Sequence, residues 1–173
     1  MRKGALPREL DLRGLAAREA SISGVATLAD LGRLMSAGVG LVMPASADFE
    51  FRRDEEGRYV VEARVKAEVV LECQRCLGEM TQRLETRTVM ACIWDDDDAA
   101  QLPPSYEPLI VQETANLSDI VEEELLLAIP ASPMHAQDCI TEAQRVALGN
   151  QEDGSKSEGR KESPFAVLAK LKS

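Results

Sequence analysis

Tyr59-Val60-Val61-Glu62-Ala63-Arg64-Val65-Lys66-Ala67-Glu68-Val69-Val70-Leu71-Glu72-Cys73 alternates apolar and charged side chains with little interruption. A period of two puts successive side chains on opposite faces of a strand. Tyr59, Val61, Ala63, Val65, Ala67, Val69 and Leu71 therefore share one face, and Glu62, Arg64, Lys66, Glu68 and Glu72 the other. That is a long antiparallel strand with one wet face. A second run, Gly78 to Trp94, keeps Met80, Leu84, Met90 and Cys92 in register on one side. The two runs predict a hairpin whose end carries Cys73-Gln74-Arg75-Cys76.

Upstream, Asp11 to Glu19 has leucine and alanine at helical spacing, and Ser21 to Val25 reads as a short alternating strand. Thr27 with Asp30 three residues on starts a short amphipathic helix presenting Leu28, Leu31, Leu34 and Met35. From Ala45 the period becomes two, and Asp54-Glu55-Glu56-Gly57 turns into the long strand. Downstream, the acidic run Asp95 to Asp98 and Leu102-Pro103-Pro104-Ser105 form a loop. Tyr106 to Val111 adds a short strand, at a sheet edge because Pro108 lacks a donor. Asn116 caps a helix burying Leu117, Ile120, Val121, Leu125 and Ala128, with Asp119, Glu122 and Glu123 near its positive end, and Pro130 stops it.

The pattern predicts an α+β fold: an antiparallel β-sheet with a long central hairpin, packed by two or three helices, plus a flexible C-terminal tail. We expect one domain over residues 1–148, a flexible polar linker over 149–163, and a short amphipathic helix over 164–173. In that helix Ser163 is the cap, Pro164 the first helical residue, and Phe165, Leu168 and Leu171 lie in register.

The formal charge of −10 repels phosphate, although Arg2, Lys3, Arg8, Arg13 and Arg18 gather near one end and Lys156, Arg160, Lys161, Lys170 and Lys172 near the other. At 3% aromatic residues the chain has few platforms on which bases stack. There is neither a membrane-length apolar run nor a signal-peptide pattern, so a cytoplasmic protein is expected, with its four cysteines as thiols or metal ligands.

Cys73 and Cys76 have the two-residue bite that closes on a tetrahedral ion. His135, the sole histidine, and Cys139 complete a Cys3His set suited to zinc, which would pin Ala131 to Ile140 to the sheet. The alternative is a pair of thiols and an exposed histidine with no ion. A dithiol redox centre needs a depressed thiolate pKa, and Glu72 and Glu79 are expected to raise it instead. Cys92 reads as core. No catalytic carboxylate pair, glycine-rich phosphate loop or nucleophile motif is present, so no enzyme activity is expected.

Taken together and in this order, Leu71-Glu72-Cys73-Gln74-Arg75-Cys76, Tyr106-Glu107-Pro108, Val121-Glu122-Glu123-Glu124-Leu125-Leu126-Leu127-Ala128-Ile129-Pro130 and Pro164-Phe165-Ala166-Val167-Leu168-Ala169-Lys170-Leu171-Lys172 resemble the bacterial YceD family of large ribosomal RNA subunit accumulation proteins. The resemblance implies a cytoplasmic, non-enzymatic factor for accumulation or processing of large-subunit (23S) ribosomal RNA. Its partners would be precursor particles or an rRNA-processing protein. It favours Gln74 and Arg75, presented at a turn, as partner contacts, and the terminal Phe165, Leu168 and Leu171 as a docking element. Many relatives carry a further cysteine-rich cluster where this chain has His135 and Cys139. The rival readings are a thiol-redox protein and a regulatory adaptor that never touches RNA.

Overall fold

The computed structural model describes residues 4–147, so the expected linker and the helix bearing Phe165, Leu168 and Leu171 lie outside the described residues. The chain divides into two compact units at Asp138/Cys139. The first contains α1 (Leu12–Ala17), β1 (Ser21–Ala26), α2 (Gly32–Ser36), β2 (Gly40–Leu41), β3 (Ala45–Arg53), β4 (Tyr59–Glu72), β5 (Glu79–Ile93), β6 (Glu107–Ile110) and α3 (Leu117–Ala128). The second contains the short helix α4 (Glu142–Ala147). Among the described residues no helix is long and apolar enough to cross a membrane.

The α+β architecture is the one the pattern predicts. The strands form one sheet in the order β1-β3-β4-β5-β6, with β2 pairing β4 beyond the end of β3. All pairings are antiparallel except β5 with β6, which run parallel. The edge position of β6, with Pro108 in it, is as expected; its direction is the correction. The chain leaves β5 through the 3-10 turn Asp96–Gln101 and returns to lay β6 alongside in the same sense.

β4 and β5 pair continuously from Val60 opposite Ala91 to Glu72 opposite Glu79. Residues directly opposite share a face. Val61, Val65, Val69 and Leu71 therefore join Met80, Leu84 and Met90, all buried, with Phe49 and Phe51 of β3 on the same side. Burying each such side chain contributes about 1.5–3 kcal/mol before entropy is subtracted. On the other face, Arg64 stands opposite Arg87 and Glu50 opposite Glu62. Like charges so placed repel. They are reconciled diagonally: Glu62 accepts from Arg64 (2.7 Å) and from Arg87 Nε (2.8 Å), and Arg64 also reaches Glu50 (3.2 Å). The Arg87 guanidinium above all, against the opposing effect of burial, holds the Glu62 carboxyl below its ordinary value.

α3 covers the apolar face. Asn116 caps it by accepting from Ser118 N–H (3.1 Å), and Leu117, Ile120, Val121 and Leu125 are buried, while Ala128 is half-buried. Thr88 of β5 donates to Glu124 (2.5 Å). The expected single helix from Leu28 to Met35 is divided into a 3-10 turn, Leu28–Asp30, and α2. Asp30 takes both the amide and the hydroxyl of Thr27, closing that turn, and Leu31 breaks to non-helical angles. Leu31 and Leu34 are buried but Met35 is 56% exposed. Glu122, expected only to complement its own helix, reaches out of α3 to accept from the N–H groups of Arg33 (2.7 Å) and Leu34 (3.0 Å) and from Arg33 Nε (2.9 Å). It caps α2, which has no capping side chain of its own.

Arg13 of α1 donates to the carbonyls of Val111 (2.5 Å) and Ile93 (3.1 Å) and lies 3.7 Å above the Trp94 ring. Arg8 pairs with Asp30. Two of the N-terminal cations expected to be available to a polyanion are thus occupied internally.

Burial pushes the Glu122 carboxyl up, but the Arg33 side chain and the two α2 amides outweigh it, and the net value lies below the ordinary 4.5. A carboxylate depressed on folding stabilises the fold above its unfolded pKa, and that contribution is lost as pH falls through the folded value. Glu122→Gln is expected to lower the unfolding midpoint at neutral pH, and to shrink that penalty as pH drops below about 4.5. Thermal unfolding from pH 7 to pH 3 checks both parts.

Candidate metal centre

The tip of the hairpin is built from backbone. Cys73 N–H donates to Gly78 O (2.9 Å) and Leu77 N–H to Cys73 O (2.8 Å), which closes the six-residue connection Cys73–Gly78. Leu77, 69% exposed, sits at φ +59°, a left-handed conformation that costs a branched L-residue about 1 kcal/mol. The segment after α3 then comes back to the tip. Gln74 N–H donates to Pro133 O (2.8 Å), and the Arg75 guanidinium donates to the carbonyls of His135 (3.1 Å) and Gln137.

These bonds bring three of the four sequence-predicted ligands together within the first unit. Cys73 Sγ, Cys76 Sγ and a His135 ring nitrogen lie within 4.8 Å of one another. Cys73 is fully buried, and Cys76 and His135 are half-buried. Cys139, also half-buried, is the first residue of the second unit. None of the cysteines forms a disulfide.

The histidine is oriented for ligation. Its Nε2 lies 3.2 Å from Glu79 O, and a carbonyl only accepts, so Nε2 carries the proton. In the neutral ring Nδ1 then presents its lone pair, and it lies 3.5 Å from Cys76 Sγ. A tetrahedral zinc with Zn–S near 2.3 Å and Zn–N near 2.1 Å separates its ligands by about 3.6 Å. The pair is therefore spaced as one edge of such a tetrahedron. The Glu79 carbonyl fixes the tautomer, as outer partners of ligating histidines do.

The Cys73 thiol is also prepared. Burial alone pushes it up, but the amides of Cys76, His135 and Arg75, together with the Cys76 side chain, reverse this and hold it at about 5. This overturns the expectation that Glu72 and Glu79 leave the thiol with a raised pKa: the amides that set it are backbone groups of the tip and of the returning segment. A thiolate is the ligating form of cysteine. Cys92 belongs elsewhere, its thiol pushed up to about 11 by burial in β5.

A family model described as "Large ribosomal RNA subunit accumulation protein YceD" matches residues 61–172. The chain belongs to the YceD family. The large ribosomal RNA subunit accumulation protein YceD of Haemophilus influenzae is 34% identical over 175 residues, which cover 99% of each chain. No solved structure matches. The YceD match begins in β4 and takes in the hairpin tip, β6 and α3; α1 to β3 lie ahead of it but within the alignment to the Haemophilus relative.

Gln74 is exposed at the tip, whereas Arg75 has internal partners. A guanidinium that reaches two carbonyls from one side chain is a clamp that a lysine does not reproduce. Arg75→Ala is expected to destabilise the first unit by about 1–3 kcal/mol and to unprotect the Gln74 amide. Arg75→Lys should recover less than half of the loss. Denaturant unfolding combined with amide hydrogen exchange checks this.

Proposed function

We propose that this YceD-family chain supports the accumulation of large-subunit ribosomal RNA without catalysis, by binding a precursor particle or an rRNA-processing protein. The observation that carries the reading is the likeness, along 99% of the chain, to a protein named for that role. The acidic charge argues that recognition runs through protein rather than through bare RNA. On this reading the centre at the hairpin tip is architectural. Zinc held by Cys73, Cys76 and His135, with Cys139 as fourth ligand four residues beyond the histidine, would fasten the segment after α3 to the sheet and present Gln74 at a fixed place. Bound there, zinc supplies cross-linking alone, since four protein ligands leave no open position for chemistry.

The depressed Cys73 thiol favours one other reading, a dithiol redox centre. Exchange requires the thiolate to be reached, and Cys73 has no exposed surface. Ligation uses a buried thiolate; attack on an external disulfide does not.

Purified full-length protein is expected to hold about one zinc per chain by elemental analysis. Cys76→Ser, His135→Ala and Cys139→Ser should each reduce the content severalfold, and chelation should lower the unfolding temperature. Zinc content unaffected by Cys139→Ser would remove that residue from the set. For the cellular role, cells lacking the protein should show a deficit of large-subunit relative to small-subunit RNA, with precursor and mature forms measured separately. Wild type should restore the ratio, and Cys73→Ser/Cys76→Ser should restore it poorly. An unchanged RNA ratio in the deletion strain would sink the ribosomal reading.

A further inference from the structure

Between α3 and β6 runs a groove of about 460 Å³ that neither the hairpin tip nor the core accounts for. Its apolar lining comes from Met90 of β5, Leu109 of β6 and Ile120 and Leu127 of α3. Leu127 is 71% exposed, and Leu109, on the same face of the sheet as Met90, is half-buried. Large aliphatic side chains held in water beside a concave surface mark contact sites when they are grouped. The lining carries four carboxylates, Glu107, Asp119, Glu123 and Glu124, against the single guanidinium of Arg33. That guanidinium is already paired with Glu122 (2.9 Å) and Glu123 (2.8 Å). Glu107 makes no ion pair among the described residues.

The form of the occupant follows from the two walls. An extended peptide adds to a sheet edge through main-chain hydrogen bonds, but β6 is only four residues long and its Pro108 has no N–H. The other wall, from Asp119 to Leu127 on one side of α3, runs about 12 Å, two helical turns. Side chains rather than backbone must make the contact, and an amphipathic helix lays apolar residues at spacings of three and four into such a groove. The sign of the rim sets the flanks of that helix to lysine and arginine, and it repels phosphate.

We propose that the α3–β6 groove binds the apolar face of a cationic amphipathic helix in a partner protein. The inference rests on the reading above, that the chain works by binding, and deepens it by naming the surface and the chemistry of the partner.

The test uses full-length protein and a fluorescent synthetic peptide of roughly four helical turns, with leucines at helical spacing and lysines elsewhere. A control peptide has the same composition with its leucines spread around the helix. Anisotropy at near-physiological salt is expected to show the patterned peptide binding at least about tenfold more tightly than the control. Leu127→Ser should weaken binding about tenfold, as should Glu107→Lys/Asp119→Lys, while Glu55→Lys/Glu56→Lys at the distant β3–β4 turn should not. All of these positions are exposed, and unchanged unfolding temperatures confirm folding.

Equal binding of the two peptides, or an equal loss from the β3–β4 turn variant, would show general attraction to an acidic protein and overturn the proposal. A concentration-dependent dimer abolished by Leu127→Ser would assign the groove to a second copy and also overturn it. Groove-dependent peptide binding together with a normal RNA ratio in deletion cells leaves the groove standing and removes the ribosomal reading. A large-subunit RNA deficit that Leu127→Ser rescues fully, with no groove-dependent binding, does the reverse.

Discussion

The register between β4 and β5 is the constraint on which the rest of the first unit depends. A slip of one residue would carry Val61, Val65, Val69 and Leu71 to the wet face and bring Arg64 and Glu68 inside, so one buried face fixes the pairing along the whole hairpin. That pairing then delivers Cys73 and Gly78 opposite one another at the closed end, aligns Met90 and Ile93 to receive β6, and sets Thr88 beneath α3. The tip, the edge strand and the covering helix are thus consequences of one alignment.

The parts of the fold written in local periodicity could be read from the chain: the hairpin, the edge strand at Pro108 and the capped helix at Asn116 follow from patterns spanning a few residues. What escaped depends on partners far away in sequence. The direction of β6 follows the course of the chain between Ile93 and Glu107, which no pattern within β6 encodes. The separate start of α2 after Leu28–Asp30 is capped by Glu122, almost ninety residues downstream, which supplies the cap that α2 lacks. At the candidate centre, residue types and spacing were enough to propose the ligands. The properties of those ligands were hidden, because the groups that lower the Cys73 thiol and orient His135 are amides and a carbonyl, and every residue has those.

Carboxylates do structural work throughout this acidic chain. Glu62 gathers two guanidiniums on the sheet, Glu122 ties α3 to α2, Glu124 ties α3 to β5, and Asp30 closes a turn. The three glutamates join elements that the hydrophobic pattern brings near one another without fixing their angle. The acidity of such a protein therefore has two components with different origins: carboxylates that join secondary structures, and the rims and turns that face solvent.

Arg13 and Trp94 have a spectroscopic consequence. Trp94 is the only tryptophan, and the Arg13 guanidinium stands 3.7 Å over its ring while the same side chain holds the carbonyls of Ile93 at the end of β5 and of Val111 just past β6. Emission excited selectively at tryptophan therefore originates from one indole beneath one cation. The chain thus carries a built-in optical gauge of whether α1 is seated on the sheet, read without a label.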